Sequence, residues 1–277
     1  MRHTVPVPGT QAVARAFAVL RAFTDAHRLW SLADLAPALR LAKPTTLRLL
    51  SVLEREGMVT RSAGQGTWQL GPAAIELGAR AERATSLCAA ARPELERLAW
   101  TTGETASLEI LIGNEILVLD EVRGRFRGSA VECAGTRWPA HAAATGKVLL
   151  AAARAEGGES WRQFKTLTRG RLPSFTPRTL NTSALLVREL DRTLRRGYAT
   201  AVEELEVGYL AIGAPIVGHA GRVIAAMCVG GPAARLGGAR LKALVADTRD
   251  AATRVGERLG KAPTDHARRT GPRRSTA

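Results

Sequence analysis

The sequence contains only three cysteines, Cys88, Cys133 and Cys228. An odd number so widely spaced makes no disulfide framework and reads as reduced thiols. Its five histidines, His3, His27, His141, His219 and His266, fall at no metal-ligand spacing to one another or to a cysteine, so no metal is expected. No stretch of about 18 or more apolar residues occurs, which excludes a membrane-spanning helix. Arg15 and Arg21 interrupt the first apolar segment, so the expectation is a cytoplasmic chain with no signal-peptide core.

Catalytic signatures are missing as well. There is no Gly-x-Ser-x-Gly nucleophile elbow. The run Ala144-Thr145-Gly146-Lys147 invites a phosphate-loop reading, but His141 stands where its first glycine belongs and Val148 where a magnesium-binding Ser or Thr belongs. Glu203 and Glu204 are adjacent on what reads as an extended segment, so their carboxylates should point to opposite faces rather than act as paired acids. His141 reads as a residue that orders a loop through hydrogen bonds, not as a base. Neither catalysis nor a cofactor is expected.

Acidic residues are scarce too: 25 Asp and Glu face 40 Lys and Arg, a formal net charge of +15. That balance favours polyanions, because each neutralised phosphate releases counterions. Charge alone fits a membrane surface or a solvated face equally well. Part of the excess lies in residues 261–277, where Arg268, Arg269, Arg273 and Arg274 sit among Pro, Gly, Ser and Thr with no apolar stripe. That tail reads as disordered.

What is present begins at Ser31. Ser31 and Asp34 form a capping-box variant ahead of Leu32, Leu35, Ala36 and Leu39 at helical spacing. After the turn Arg40-Leu41-Ala42, Pro44 suits the first turn of a second helix, which should reach about Arg55 and stop at Gly57. Thr46, Leu49, Leu50 and Leu53 form its core stripe, which leaves Pro44, Leu47, Arg48, Ser51 and Arg55 outside, with Thr45 on the border. An outward face of Arg, Ser and Thr with a nearby Lys43 suits a DNA major groove. Alone, such a helix is more often a plain solvated one. The sequel changes that: residues 58–61 and 67–70 read as two strands around a small-residue turn, a wing with Arg61 and Gln65 near its edge and tip. Upstream, Val13, Ala16, Phe17 and Leu20 are expected to pack a first helix behind the pair. The result is a winged helix-turn-helix.

Here the chain resembles the isocitrate-lyase-regulator (IclR) family of bacterial transcription factors over nearly its whole length. The resemblance rests on Gln11-Ala12-Val13-Ala14-Arg15-Ala16, Leu41-Ala42-Lys43-Pro44-Thr45, Arg48-Leu49-Leu50 and Trp68-Gln69-Leu70-Gly71. It continues through Pro139-Ala140-His141-Ala142, Thr145 to Ala151, Arg196-Gly197-Tyr198-Ala199, Glu203-Glu204 and Ala214-Pro215-Ile216. Two positions depart from the family: Arg40 replaces a turn glycine and Leu47 a His or Tyr. If the turn needs positive φ, Arg40 costs roughly 1 kcal/mol. Leu47 exchanges a polar contact for an apolar one.

At 277 residues with 45% hydrophobic content, the chain is long enough for two domains. Residues 9–71 are the expected DNA-binding domain, and 72–88 form a helix that the resemblance implies is a linker. A second helix is expected from about Pro93 to Thr101. Hairpins over 107–122 and 211–229, a strand over 128–133, and helices over 142–153, 185–196 and 236–259 suggest one sheet flanked by helices, an α+β layout. Residues 156–179 read as a variable loop with Pro173 and Pro177 as breakers. The resemblance implies a GAF-like effector domain over 89–260.

Family members that bind small carboxylates use an Asp, a Cys and two Ser, and the resemblance aligns these with Ala201, Ala211, Cys228 and Gly230. With an acid and two hydroxyls gone and Leu210, Ile212 and Met227 nearby, the pocket is expected to take an apolar or aromatic acid rather than a two-carbon acid. Ser129 and Glu109 are the candidate remaining polar groups. The mechanism expected is linkage: the effector shifts affinity for double-stranded DNA by favouring one arrangement of a homodimer or tetramer on a pseudo-palindromic operator. The competing reading is a small-molecule-binding or catalytic protein whose N-terminal domain makes protein contacts.

Overall fold

A computed structural model describes residues 10–24, 26–62, 66–84, 86–126, 134–169 and 171–261. Its contacts divide the chain into two units, Met1–Thr85 and Ser86–Ala277. The first unit runs α1 (Gln11–Ala22), β1 (Trp30–Ser31), α2 (Leu32–Ala38), α3 (Lys43–Arg55), β2 (Val59–Arg61), β3 (Thr67–Leu70) and α4 (Pro72–Ala84). Ser31 caps α2 as its spacing predicts: its Oγ accepts the Asp34 N–H at 3.2 Å and donates to Asp34 Oδ2 at 2.6 Å. The α2–α3 turn holds Arg40 at φ 55, in the left-handed region. Val19, Phe23, Leu35, Leu50, Leu53, Val59 and Trp68 form the core.

Two features of this unit differ from the sequence reading. The buried stripe of α1 is centred on Ala16, Val19, Leu20 and Phe23, and it leaves Val13 and Phe17 at its solvent edge, 56% and 52% exposed. The wing also gains a third strand, because β1 pairs antiparallel with β3 through Trp30–Trp68 and Ser31–Thr67, in the order β1-β3-β2. Two residues carry too little alternation to be recognised as a strand.

The second unit opens with α5 (Ser86–Thr102), β4 (Thr105–Ile112), β5 (Glu115–Val122), β6 (Arg137–Pro139), α6 (Ala144–Ala155) and α7 (Glu159–Thr168). It continues with α8 (Ser183–Arg196), β7 (Ala199–Val202), β8 (Tyr209–Val217), β9 (Val223–Pro232), α9 (Ala233–Leu236) and α10 (Ala239–Lys261). The six strands form one antiparallel sheet in the order β6-β5-β4-β9-β8-β7. Helix α5 runs straight through Pro93 rather than starting there, because Cys88, Ala91, Leu95 and Leu98 keep one buried face across it. Helix α7 occupies the segment expected to be a loop. Its burial rests on Phe164 and a stacked Trp161, too few apolar residues to mark a period. The expected strand over 128–133, the wing tip 63–65 and the tail after Lys261 lie outside the described residues.

Strand alternation sorts the sheet into two faces. Leu108, Leu210, Ile212, Ala214, Ile216, Met227 and Val229 pack in one core with α5 and α10. Ile116, Val118, Ala199 and Ala226 face the opposite core, with Val148, Leu150, Leu186 and Leu190 of α6 and α8. Helix α6 comes down on the sheet at Gly213, where a Cβ would stand 2.7 Å from the Thr145 nitrogen and 2.8 Å from the Ala144 carbonyl carbon. Among the described residues, no helix is long and apolar enough to cross a membrane.

Replacing Arg40 with glycine removes the left-handed penalty at an exposed turn. The R40G variant should raise the urea midpoint by the equivalent of about 0.5–1 kcal/mol with an unchanged m-value.

Candidate DNA-binding and effector sites

Helix α3 buries Thr46, Leu50 and Leu53 and turns Lys43, Leu47, Arg48 and Ser51 to solvent, with Thr45 half-buried at the border. Leu47 is 39% exposed, an apolar spot on a cationic face. Arg61 at the end of β2 is exposed and positioned by two contacts: its guanidinium lies 4.9 Å from the Trp68 ring centroid and its Nε 3.4 Å from the Glu54 carboxylate. Gln65 lies outside the described residues. The faces of α3 follow from its apolar spacing alone; the seat of Arg61 depends on a partner seven residues away in sequence.

In the second unit, a cavity of about 40 Å³ lies between the first turn of α6 and the sheet. Among its lining residues are Ala201, Ala211 and Cys228 on the sheet, Ala144 and Thr145 on α6, and Glu109 and Glu204. Strand register explains the grouping: Ala201 pairs with Ala211 and Ala211 with Gly230, while Ser107 and Gly213 flank Cys228 in the neighbouring row. Gly230 is not part of the lining. A Cβ there would lie 2.3 Å from the Tyr209 hydroxyl oxygen, so the tyrosine uses the room a side chain at 230 would take. Tyr209, Trp138, Leu205 and Glu206 also line an outer cleft of about 470 Å³ with Arg137, Pro139 and Phe175.

The polarity of the cavity corrects the sequence reading. Leu210, Ile212 and Met227 sit on the opposite face of the sheet, because they alternate with the lining positions, and they do not touch the pocket side. Polar groups arrive instead from other elements. Glu109 is buried on β4, accepting from Ser107 Oγ at 2.6 Å and from Thr145 Oγ1. Burial pushes its carboxyl up, more than these two hydroxyls pull it down. Ser129 lies outside the described residues. The first turn of α6 adds N–H groups with no intrahelical acceptor, and its N-cap, Ala143, makes no side-chain cap bond.

Lys147, weighed in the sequence only as part of a failed phosphate-loop motif, has a different role. It is 1% exposed, and its Nζ donates to Glu204 Oε1 at 2.5 Å and to Thr200 O at 2.7 Å. Burial lowers its pKa and raises that of Glu204, and each charge opposes the other's shift. A lysine inside the apolar run 144–153 was the available signal, because a buried ammonium requires a partner. The adjacent acids do diverge, but not because the segment is extended: Glu203 has φ 56, and it pairs with Arg178 at 2.9 Å. The loop before α8 pins both residues, with Thr176 Oγ1 donating to Glu203 O at 2.5 Å and Thr179 Oγ1 to Glu204 O at 2.6 Å. His141 orders the same loop as expected. Its Nε2 lies 2.8 Å from Pro173 O, and since a carbonyl only accepts, the hydrogen is on Nε2. Burial lowers the pKa of this ring.

A winged helix-turn-helix followed by this sheet matches two family models, the IclR helix-turn-helix domain over residues 12–63 and the bacterial transcriptional regulator IclR C-terminal domain over residues 80–257. The chain belongs to the IclR family. It is a DNA-binding transcriptional regulator whose C-terminal unit is the family's effector domain. It is 36% identical to the HTH-type transcriptional regulator BhcR of Paracoccus denitrificans, over 85% of this chain and 82% of that one. An IclR regulator from Alicyclobacillus acidocaldarius superposes with a TM-score of 0.79 at 27% identity, covering 90% of this chain and 98% of the other. An IclR homologue from Microbacterium hydrocarbonoxydans, solved with 4-hydroxybenzoate, gives a TM-score of 0.77, also at 27% identity and covering 90% and 98%.

The raised Glu109 pKa fixes the sign of a pH effect within this IclR-family domain. The stability contributed by the neutral carboxyl is complete below the ordinary glutamate value and is lost as pH rises through the higher folded value. The E109Q variant cannot ionise. Its thermal midpoint should match wild type near about pH 4 and exceed it at about pH 8. Equal pH slopes in the two proteins would rule the assignment out.

Proposed function

We propose that Lys43, Thr45, Leu47, Arg48 and Ser51 meet base edges in the major groove, while Arg61 and Gln65 of the wing touch phosphate or the minor groove. The observation that carries this is the division of α3: its cationic and hydroxyl face is free while Thr46, Leu50 and Leu53 hold the other face to the core. Residues 9–71 act as the reading domain, 72–88 as the linker, 89–260 as the effector domain, and 261–277 as a basic tail. The regulator works in the cytoplasm, by binding rather than catalysis, as a homodimer or tetramer on a pseudo-palindromic operator. The effector biases the arrangement of the copies and so changes DNA affinity, a coupling of about 1–3 kcal/mol.

The effector is an organic acid with an apolar or aromatic body. The alanine floor, the Trp138 and Tyr209 rings and the N–H groups of the first turn of α6 support an aromatic carboxylate, and burial that opposes ionisation of Glu109, with Glu204 compensated by Lys147, reduces the charge that would repel it. The inner cavity holds only a few water molecules, so such a ligand extends into the outer cleft by moving the walls they share. The 4-hydroxybenzoate bound by the Microbacterium homologue is of this class.

Footprinting upstream of the neighbouring operon supplies the operator for two measurements. The T45A/R48A variant should lose about 100-fold or more in affinity for that site with an unchanged circular dichroism spectrum. Retained sequence-specific binding would end the recognition-helix assignment. In thermal-shift assays, benzoates should stabilise the protein and glyoxylate and pyruvate should not. Selective stabilisation by either two- or three-carbon acid overturns the aromatic class.

A further inference from the structure

A residue lining the cavity just given to the effector has an acceptor that the fold leaves unused. Glu204 lines it and is 9% exposed. Its Oε1 takes the Lys147 ammonium, while its Oε2 is buried with no hydrogen-bond partner among the described residues. The other buried acid of the cavity, Glu109, has a hydroxyl on each oxygen, from Ser107 and Thr145. Glu204 is therefore the carboxylate with capacity left over.

Glu204 is also held where it stands. Thr176 and Thr179 anchor the backbone carbonyls of Glu203 and Glu204, and the left-handed Glu203 sets the direction in which the chain leaves β7. Lys147 is itself tied to Thr200 O, which fixes the ammonium that holds Glu204 Oε1. A buried acceptor in this position is costly until a donor reaches it. Because Lys147 already compensates the charge, the group that fits is a hydrogen-bond donor and need not be a cation. A site built to accept from a ligand O–H or N–H rejects the analogue that lacks it far better than an apolar wall selects for size.

We infer that Glu204 Oε2 receives a hydroxyl or N–H of the effector, so that the natural ligand is an acid carrying a donor as well as its carboxylate. This rests on reading the cavity as the effector site and narrows the ligand to hydroxy or amino acids of the aromatic class. Tyr209, Trp138 and Leu205 contribute shape, and Glu204 contributes the choice between a donor and a methyl of the same size.

Titration calorimetry with matched pairs tests this separately from the aromatic reading. On wild-type protein, 4-hydroxybenzoate or 3-hydroxybenzoate should bind about tenfold tighter than the corresponding methylbenzoate. In E204Q, which presents an amide to the cavity, the preference should fall to within about twofold. The K147M/E204L variant removes both charges together and should show the same collapse of preference, which covers the case in which E204Q fails to fold. Equal binding of hydroxy and methyl partners by wild type, as expected if a trapped water satisfies Oε2, overturns the inference and leaves the aromatic class standing. A preference that survives in both variants also overturns it. If no benzoate binds, the aromatic class fails and the same comparison is made with lactate against isobutyrate; binding of neither pair overturns the inference together with the site.

Discussion

A single buried ion pair organises the effector unit. Lys147 lies in an apolar stretch of α6 that must be pressed against the sheet, and desolvating its ammonium alone would cost several kcal/mol. Glu204 and the Thr200 carbonyl meet that charge from the end of β7, which ties the helix to the edge of the sheet and determines where the chain turns next. Once that turn is set, Glu203 is forced into a left-handed conformation, the 176–179 loop closes over it, and His141 reaches Pro173. Such pairs add little net stability compared with a well-packed apolar substitute. Their contribution here is geometric, because they leave one arrangement of helix, strand and loop in which no charge is stranded.

The first unit was largely legible because its signals are local. Ser31 and Asp34 lie three residues apart, Pro44 and Gly57 bracket α3, and Arg40 stands at a turn whose conformation its neighbours demand. The effector unit was legible in outline and opaque in its site. Leu210, Ile212 and Met227, expected near the pocket, alternate with its lining positions Ala211 and Cys228 and so face the other core. The contacts that build the cavity join residues far apart: Thr145 to Glu109 across 36 positions, Lys147 to Glu204 across 57. No local pattern encodes such pairings.

The polar groups around the cavity come from elements other than its floor. Ala201 and Gly230 have no polar side-chain atoms, but the phenol of Tyr209 lies over Gly230, and Glu109 and Glu204 bring carboxyls in from β4 and from the turn after β7. The cavity's polarity lies in its walls. In the proposed effector site, such walls would hold a ligand by its rim and substituents, which suits a flat molecule more than a compact one.

The contact of α6 with Gly213 carries a consequence for how this regulator can diversify. One absent methyl group sets the height of the roof above the floor, and any substitution at 213 would lift the whole first turn. If the chamber is the effector site, descendants of this protein could retune it at Ala201, Ala211 or Tyr209, which line it. Gly213 itself is closed to that kind of drift, and an invariant glycine at this crossing is the mark expected across any lineage that keeps the chamber while changing its tenant.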